Sequence, residues 1–559
     1  MRRRAHSIRA GLAWITIAVA GCYTGLSEGG SAQDDGGTVG GGSEGSEGEQ
    51  EPQEPGEEVG QCGDALEIGG SQIRRMTTNE YNRTVSALLG ISTTVADMFP
   101  PDSRARGFDN QAEVQEVSPS EIKAWQDAAE TLSAEAMADM VDFVGCDVAG
   151  EDGDACVASF LVDFGLRAFR RPLSDDELDK YTSFYEQHRS ESGPERALQM
   201  LVQSMLMSPN FLYLVELGQE GEVTALDDYA IASRLSYLLW NSMPDQELFA
   251  AAEAGALSTP EGIEEQARRM LADPQARDVV RDFYMQWTDA HALGSMQIPE
   301  GFEPSLSTSA EEGLSRFVMD WHDQGGRMPQ LLTSTKAFLN EELAAYYGVE
   351  GIAGSELVEA SLDPQTHGGV LTRAAVVGTH GLPPNRGDFV LGKLLCNPLT
   401  VPALEIPEPP EGEEFETRRQ SFEAHAELEC ARACHQILDP LGFAFEHYDE
   451  SGMWRATDNG HPIDATTEIG ISSFPELEGP IDGAMELSER LANSETVLRC
   501  HAETWFTYAY GRPSTKADGC SEQQLADAFV ATEGDMEQLL VDLTLTDAFR
   551  YVRKQALEP

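Results

Sequence analysis

Apolar residues recur at helical spacing through most of this chain. From Arg75 to Leu89 the apolar positions are Met76, Tyr81, Val85, Leu88 and Leu89, and Gly90 follows as a stop. Ser174-Asp175-Asp176-Glu177 has the form of a capping box, placed after Pro172 and ahead of Leu178 and Tyr181, and predicts a helix start there. Tyr229 to Trp240 repeats the pattern through Ile231, Leu235, Leu238 and Leu239. A further helix is expected to open at Pro244 after Ser242, with Asp245 and Glu247 in its first turn. Ile263–Leu271 and Val279–Trp287 continue the series. Alternation of period two is scarce. Its clearest case is Met453–Thr457, then Asp458-Asn459-Gly460, then His461–Ala465, which predicts one small hairpin turning through positive φ. Trp505, Tyr508 and Tyr510 at helical spacing are expected in the core.

The first sixty residues depart from this pattern. Arg2, Arg3 and Arg4 precede an apolar run from Gly11 to Ala20 that is too short to span a bilayer. Val19-Ala20-Gly21-Cys22 closes it, and the whole resembles a bacterial lipoprotein signal, cut before Cys22 and acylated on that thiol. Tyr23 rather than an acidic residue follows, which by the same resemblance favours the outer membrane, facing periplasm or exterior. The alternative is an ordinary secretory peptide with an incidental cysteine. Leu26 to Gly60 is almost all Gly, Ser, Glu, Gln, Pro and Asp, with too little apolar surface to offset its ordering entropy. It is expected to be a disordered acidic tether.

Lys and Arg number 38 against 96 Asp and Glu, a formal charge of −58. Loss of Arg2, Arg3, Arg4 and Arg9 with the signal would take this to −62. Such a surface repels nucleic acid and anionic lipid, and otherwise serves solubility. No Gly-x-Ser-x-Gly elbow, His-Glu-x-x-His or phosphate loop occurs. Asp152-Gly153-Asp154 lacks the rest of a calcium loop.

Nine cysteines carry the remaining chemistry. With Cys22 lipidated, eight remain for an oxidising compartment. Cys146 and Cys156 flank a turn-forming acidic loop and are expected to pair; Cys500 and Cys520 bracket Gly511-Arg512-Pro513 and form a second expected pair. Cys430-Ala431-Arg432-Ala433-Cys434-His435 runs into Asp439-Pro440-Leu441-Gly442-Phe443, a segment expected to make a tight turn against it. Two thiols followed at once by histidine is the arrangement that attaches haem c: the thiols form thioethers with the porphyrin vinyl groups and the imidazole ligates the iron. The usual gap is two residues, and here it is three. Three arrangements fit this segment. Cys430 and Cys434 attach haem with His435 on the iron; or the thiols are structural, bonded to each other or to Cys62 and Cys396; or Cys430, Cys434, His435 and His425 hold a metal such as zinc. For haem, Met453, Met485, His447 and His461 are the candidate sixth ligands, and Phe415–Glu429 and Ala484–Tyr510 could supply flanking helices. Asp449 and Arg455 are expected to pair across the hairpin base.

Several segments together resemble the planctomycete secreted cytochrome-like family, which also occurs in myxobacteria. Arg74-Arg75-Met76-Thr77-Thr78-Asn79-Glu80-Tyr81-Asn82, Phe99-Pro100-Pro101-Asp102 and Gly107-Phe108-Asp109-Asn110 resemble its opening module. Phe164–Leu173 resembles its second; Ser208–Tyr213, Ser233–Trp240 and Leu339-Asn340 its long helical module. Arg386-Gly387, Cys434-His435, Asp439–Phe443 and Gly452–Arg455 resemble its cytochrome-like module, and Tyr508-Ala509-Tyr510-Gly511-Arg512 its last. The resemblance implies a mainly α chain of helical modules in series, with one small hairpin and a cytochrome-c-like part near the C-terminus. It implies modules at 61–145, 146–222, 223–350, 365–465 and 480–559, after a signal at 1–22 and a linker at 23–60. The implied role is haem-based electron transfer or redox sensing with a protein partner. A cofactor-free surface-binding lipoprotein and a hydrolase or lyase are the other readings.

Overall fold

The computed structural model describes residues 62, 66–216, 222–290, 294, 296–399, 415–426, 432–471 and 473–553. The signal, the tether, Cys22 and Cys430 lie outside them, as do the side chains of His425 and Cys434. The chain is mainly α, with five two-stranded sheets among the described residues. None of the described helices is long and apolar enough to cross a membrane.

Most helices start where the side chains dictate. Thr77 caps Thr78–Leu89 in a capping box with Glu80, and Gly90 ends it at φ 70°. Ser174 does the same for Asp175–Ser192 through Glu177. The helix expected from Pro244 instead begins at Gln246. Asp245 is its N-cap, accepting from the Leu248 amide, so the acid expected in the first turn closes the end of the helix. The hairpin forms with two-residue strands, Thr457–Asp458 and His461–Pro462. Asn459 and Gly460 turn it at φ 49° and 85°, as a turn matched to strand twist requires.

Two hydrophobic cores organise these elements. The first gathers Tyr81, Trp125, Phe164, Leu201 and Phe211 and draws on the stretches 61–145 and 146–222. The second gathers Phe283, Trp287, Trp321, Leu441, Trp505 and Phe529 from the later stretches. Trp505 is fully buried and Tyr508 nearly so. Short antiparallel pairs tie distant parts together: Arg74–Arg75 lies against Tyr213–Leu214, and Val223–Ala225 against Tyr551–Arg553.

The arginines of the recurrent motifs reinforce these joins by donating to backbone carbonyls. Arg170 donates to Asn210, Phe211 and Tyr213. Arg234 donates to Ala548 and Phe549 and is paired with Glu216. Asn110 donates to the Tyr508 carbonyl, 398 residues away. Arg234 and Asn110 therefore bridge separate modules, whereas Arg170 ties together segments of one module, and a planar five-donor guanidinium suits both tasks.

Among the described residues there are three disulfides, and two of them add to the joins. Cys146 is bonded to Cys156. The expected Cys500–Cys520 bond is not formed: Cys500 is bonded to Cys396 and Cys520 to Cys62, with Cα separations of 5.3 and 5.5 Å. Cys500 lies within the helix Glu495–Tyr510, which packs on the π-turn Val390–Leu394 just before Cys396. Tertiary packing overrode closeness in sequence.

Candidate functional site

His435 lies in the helix Arg432–Phe443 and is buried. Its Nδ1 is 2.9 Å from Asp439 Oδ1, one turn along the same face, and both side chains are under a tenth exposed. Asp439-Pro440-Leu441-Gly442 is helical rather than the expected turn. Pro440 cannot donate to the carbonyl one turn back, a defect that normally ends a helix. Here packing holds it. Leu441 is fully buried. A Cβ on Gly442 would lie 2.0 Å from the Pro383 carbonyl oxygen, and one on Gly387 2.2 Å from that of Leu438. The helices Pro383–Phe389 and Arg432–Phe443 thus touch backbone to backbone, and only glycine fits at either point.

Arg386, beside Gly387, anchors the segment on the C-terminal side of the His435 helix. Its guanidinium donates to the carbonyls of His380, Phe445, Tyr448 and Asp449. Burial and the neighbouring Arg418 push its pKa down to about 10 against the pull of Tyr346, Glu446 and Asp449. Glu446 is buried nearby, and burial raises its pKa against the pull of Arg418 and Arg455. Asp449 does not pair with Arg455. It accepts from the Ser451 and Met453 amides and closes a local turn, while Arg455 pairs with Asp458.

The candidate sixth ligands are placed differently from one another. His447 donates from Nδ1 to the Arg455 carbonyl at 3.0 Å and stacks on Trp454. Met453 and Met485 pack against the second core, and His461 is exposed on the hairpin. Among the described residues no three His, Cys, Asp or Glu side chains converge as a metal site.

Two further titratable groupings left no local trace in the sequence, because their members come from distant segments. His501 Nε2 is 2.8 Å from the Tyr284 hydroxyl, inside the second core. Burial pushes this imidazole down to about 3. At the junction of three modules, Asp289, held at φ 56°, lies 3.3 Å from Lys393 Nζ and 3.9 Å from His380 Nε2. Lys393 belongs to the π-turn, and Gly107 leaves room for its ammonium. Asp439, by contrast, had a signal: it stands four residues after His435, the spacing at which helical side chains meet.

Five family profiles match the chain in tandem, each described as a protein of unknown function. They are DUF1587 over residues 74–138, DUF1595 over 156–216, DUF1592 over 226–349, DUF1588 over 366–458 and DUF1585 over 479–549. No curated protein and no solved structure matches. The chain belongs to the multi-module family built from these five units. His435, Asp439, Arg386 and the hairpin start all fall within the DUF1588 unit.

Proposed function

We propose that this is an outer-membrane lipoprotein, anchored through Cys22 and held off the membrane by its acidic tether, that carries haem c and exchanges electrons with a protein partner. The reading rests on Cys430, Cys434 and His435 taken with the Asp439 carboxylate on His435. In it, Cys430 and Cys434 would hold the porphyrin through two thioethers and His435 would ligate the iron. A carboxylate on Nδ1 orients an imidazole and raises its basicity, as it does for metal-bound histidines, so the His435–Asp439 couple fits an iron ligand. The haem, when bound, would supply a one-electron couple. Arg386 and the two glycine contacts hold the helix, and with it His435, in place.

One observation favours a second reading. All six cysteines with described side chains are in disulfides, so a Cys430–Cys434 bond would continue the pattern. The chain would then be a cofactor-free, disulfide-stapled surface lipoprotein. A pyridine haemochrome spectrum separates the two. Protein made in a host that matures cytochromes c, then denatured, is expected to keep its haem and give the thioether-type band. A colourless, folded product from that host would defeat the haem reading.

A further inference from the structure

A cleft of about 960 Å³ opens between the second module and the long helical module. One wall is the helix Gly153–Phe169 and the turn after it. Gly165 permits this wall, since a Cβ there would lie 2.5 Å from Leu173, which therefore seats directly on the helix. The opposite wall is made by Asp228–Trp240 and Gln246–Glu253. Leu166, Leu173, Tyr229, Met243 and Phe249 give the interior its apolar character, and Val162 stands on the lip with 56% of its surface exposed. The volume is at the upper end of ordinary ligand clefts, which run from roughly 300 to 1000 Å³.

The rim carries mainly one sign of charge. Asp163 is 70% exposed, and Glu253 is exposed across the opening. Burial, followed by the charges of Glu253, Asp227 and Asp228, raises the pKa of the Tyr229 phenol. Arg167 is the cation of the cleft, and it is already engaged. Its guanidinium donates to the carbonyls of Ala87 and Leu88 and lies 3.9 Å from Asp163. Asp245 is taken up by Arg269. Behind this rim stands a chain of net charge −58, whose field draws cations toward any apolar opening.

We infer that this cleft docks a cationic amphipathic helix of a partner protein, its apolar side chains entering the cleft and its lysines or arginines meeting Asp163 and Glu253. An apolar groove read by one face of a helix is a recurring mode of recognition, and opposite charge on the rim sets orientation and association rate. Other occupants fit less well. The chain's own tether carries Glu44, Glu47, Glu49, Glu51, Glu54, Glu57 and Glu58, and the rim repels it. A second copy brings the same acidic surface. A sugar would need a broad open aromatic face, but Trp240 is 3% exposed, covered by Arg269 and bonded through Nε1 to the Met270 carbonyl, and Phe249 is buried, which leaves only the half-buried Tyr229.

The test uses the whole mature protein and a fluorescent peptide of about five helical turns, with leucines on one face and lysines on the other. A scrambled isomer of identical composition is the control for general attraction to an acidic surface. Anisotropy should show the amphipathic peptide binding about tenfold or more tighter than its isomer. Asp163→Lys with Glu253→Lys, both exposed positions, should abolish most of that advantage, and Val162→Asn, which removes apolar surface without adding charge, should reduce it, with the unfolding temperature unchanged. Equal binding of the two peptides, no binding of either, or wild-type affinity in the folded variants would each overturn the inference.

Discussion

His435 and His501 are both buried and both sit on helices, but their partners differ in kind. His501 meets the Tyr284 hydroxyl at 2.8 Å, with Tyr284 stacked alongside and Phe283 and Trp287 edge-on to its ring. Among the described residues no carboxylate faces it and Nδ1 has no partner, and burial drives it neutral. His435 is held by the carboxylate of Asp439 at 2.9 Å. A neutral imidazole among aromatic rings can only pack and accept or donate one hydrogen bond. A carboxylate on Nδ1 orients an imidazole, as it does for metal-bound histidines. The same residue type at similar burial therefore has an aromatic setting in one place and a carboxylate partner in the other.

The largest expected effect comes from separating the two regions. The bond between Cys396 and Cys500 ties the residue next to His501 to the end of the π-turn that follows the helix Pro383–Phe389, the helix packed on that of His435. Cys396→Ser with Cys500→Ser should cost about 4 kcal/mol, from a closed loop on the order of 100 residues. Denaturant unfolding measures it, and a loss below about 1 kcal/mol would mean that packing alone holds the regions together.

Gly442→Ala drives a methyl into the Pro383 carbonyl and should cost about 3 kcal/mol by overpacking. His501→Ala should cost a similar amount, about 3 kcal/mol, by opening a cavity among the aromatic rings. These two variants sharpen the comparison. Gly442→Ala should also perturb whatever His435 binds, whereas His501→Ala should not, and absorption spectra alongside unfolding curves would show it.

The pH dependence has a definite sign. The folded pKa of His501 is about 3, below the unfolded value of about 6.5, so the unfolded state binds the extra proton. This contribution is complete above about pH 6.5 and is lost as pH falls toward 3, at roughly 1.4 kcal/mol per pH unit. His367 and His380, both lowered to about 4, act in the same direction. His501→Gln should flatten the acid limb of a stability–pH curve. An unchanged slope would show that this histidine is already accessible to protons in the folded chain.

What could be read from the sequence divides along the same line. Ser174 with Glu177 and Asn459 with Gly460 were legible because cap and turn chemistry acts within four residues. Asp439-Pro440-Leu441-Gly442 misleads because its composition is that of a turn, whereas contact with Pro383 and Leu438 keeps it helical. Arg170 and Arg386 stand out as motif residues, but their carbonyl partners lie about 40 and 60 residues away and leave no local pattern. Spacing points Cys500 to its nearer neighbour Cys520, and its true partner is reached through a helix packing that no spacing announces.

The smallest structural change tests the chemical side most closely. Asp439→Asn keeps the shape of the side chain and should cost only about 1 kcal/mol of stability. If His435 ligates haem iron, losing the carboxylate should raise the reduction potential, because the less basic imidazole stabilises the oxidised iron less. The most direct measurement is the mass of the proteolytic peptide that contains Cys430, Cys434 and His435, taken from protein made in a host that matures cytochromes c. Covalent haem on that peptide, lost when both cysteines are changed to serine, is the expected result. The same peptide carrying only a disulfide or two free thiols would contradict it, and would leave His435 and Asp439 as a structural pair.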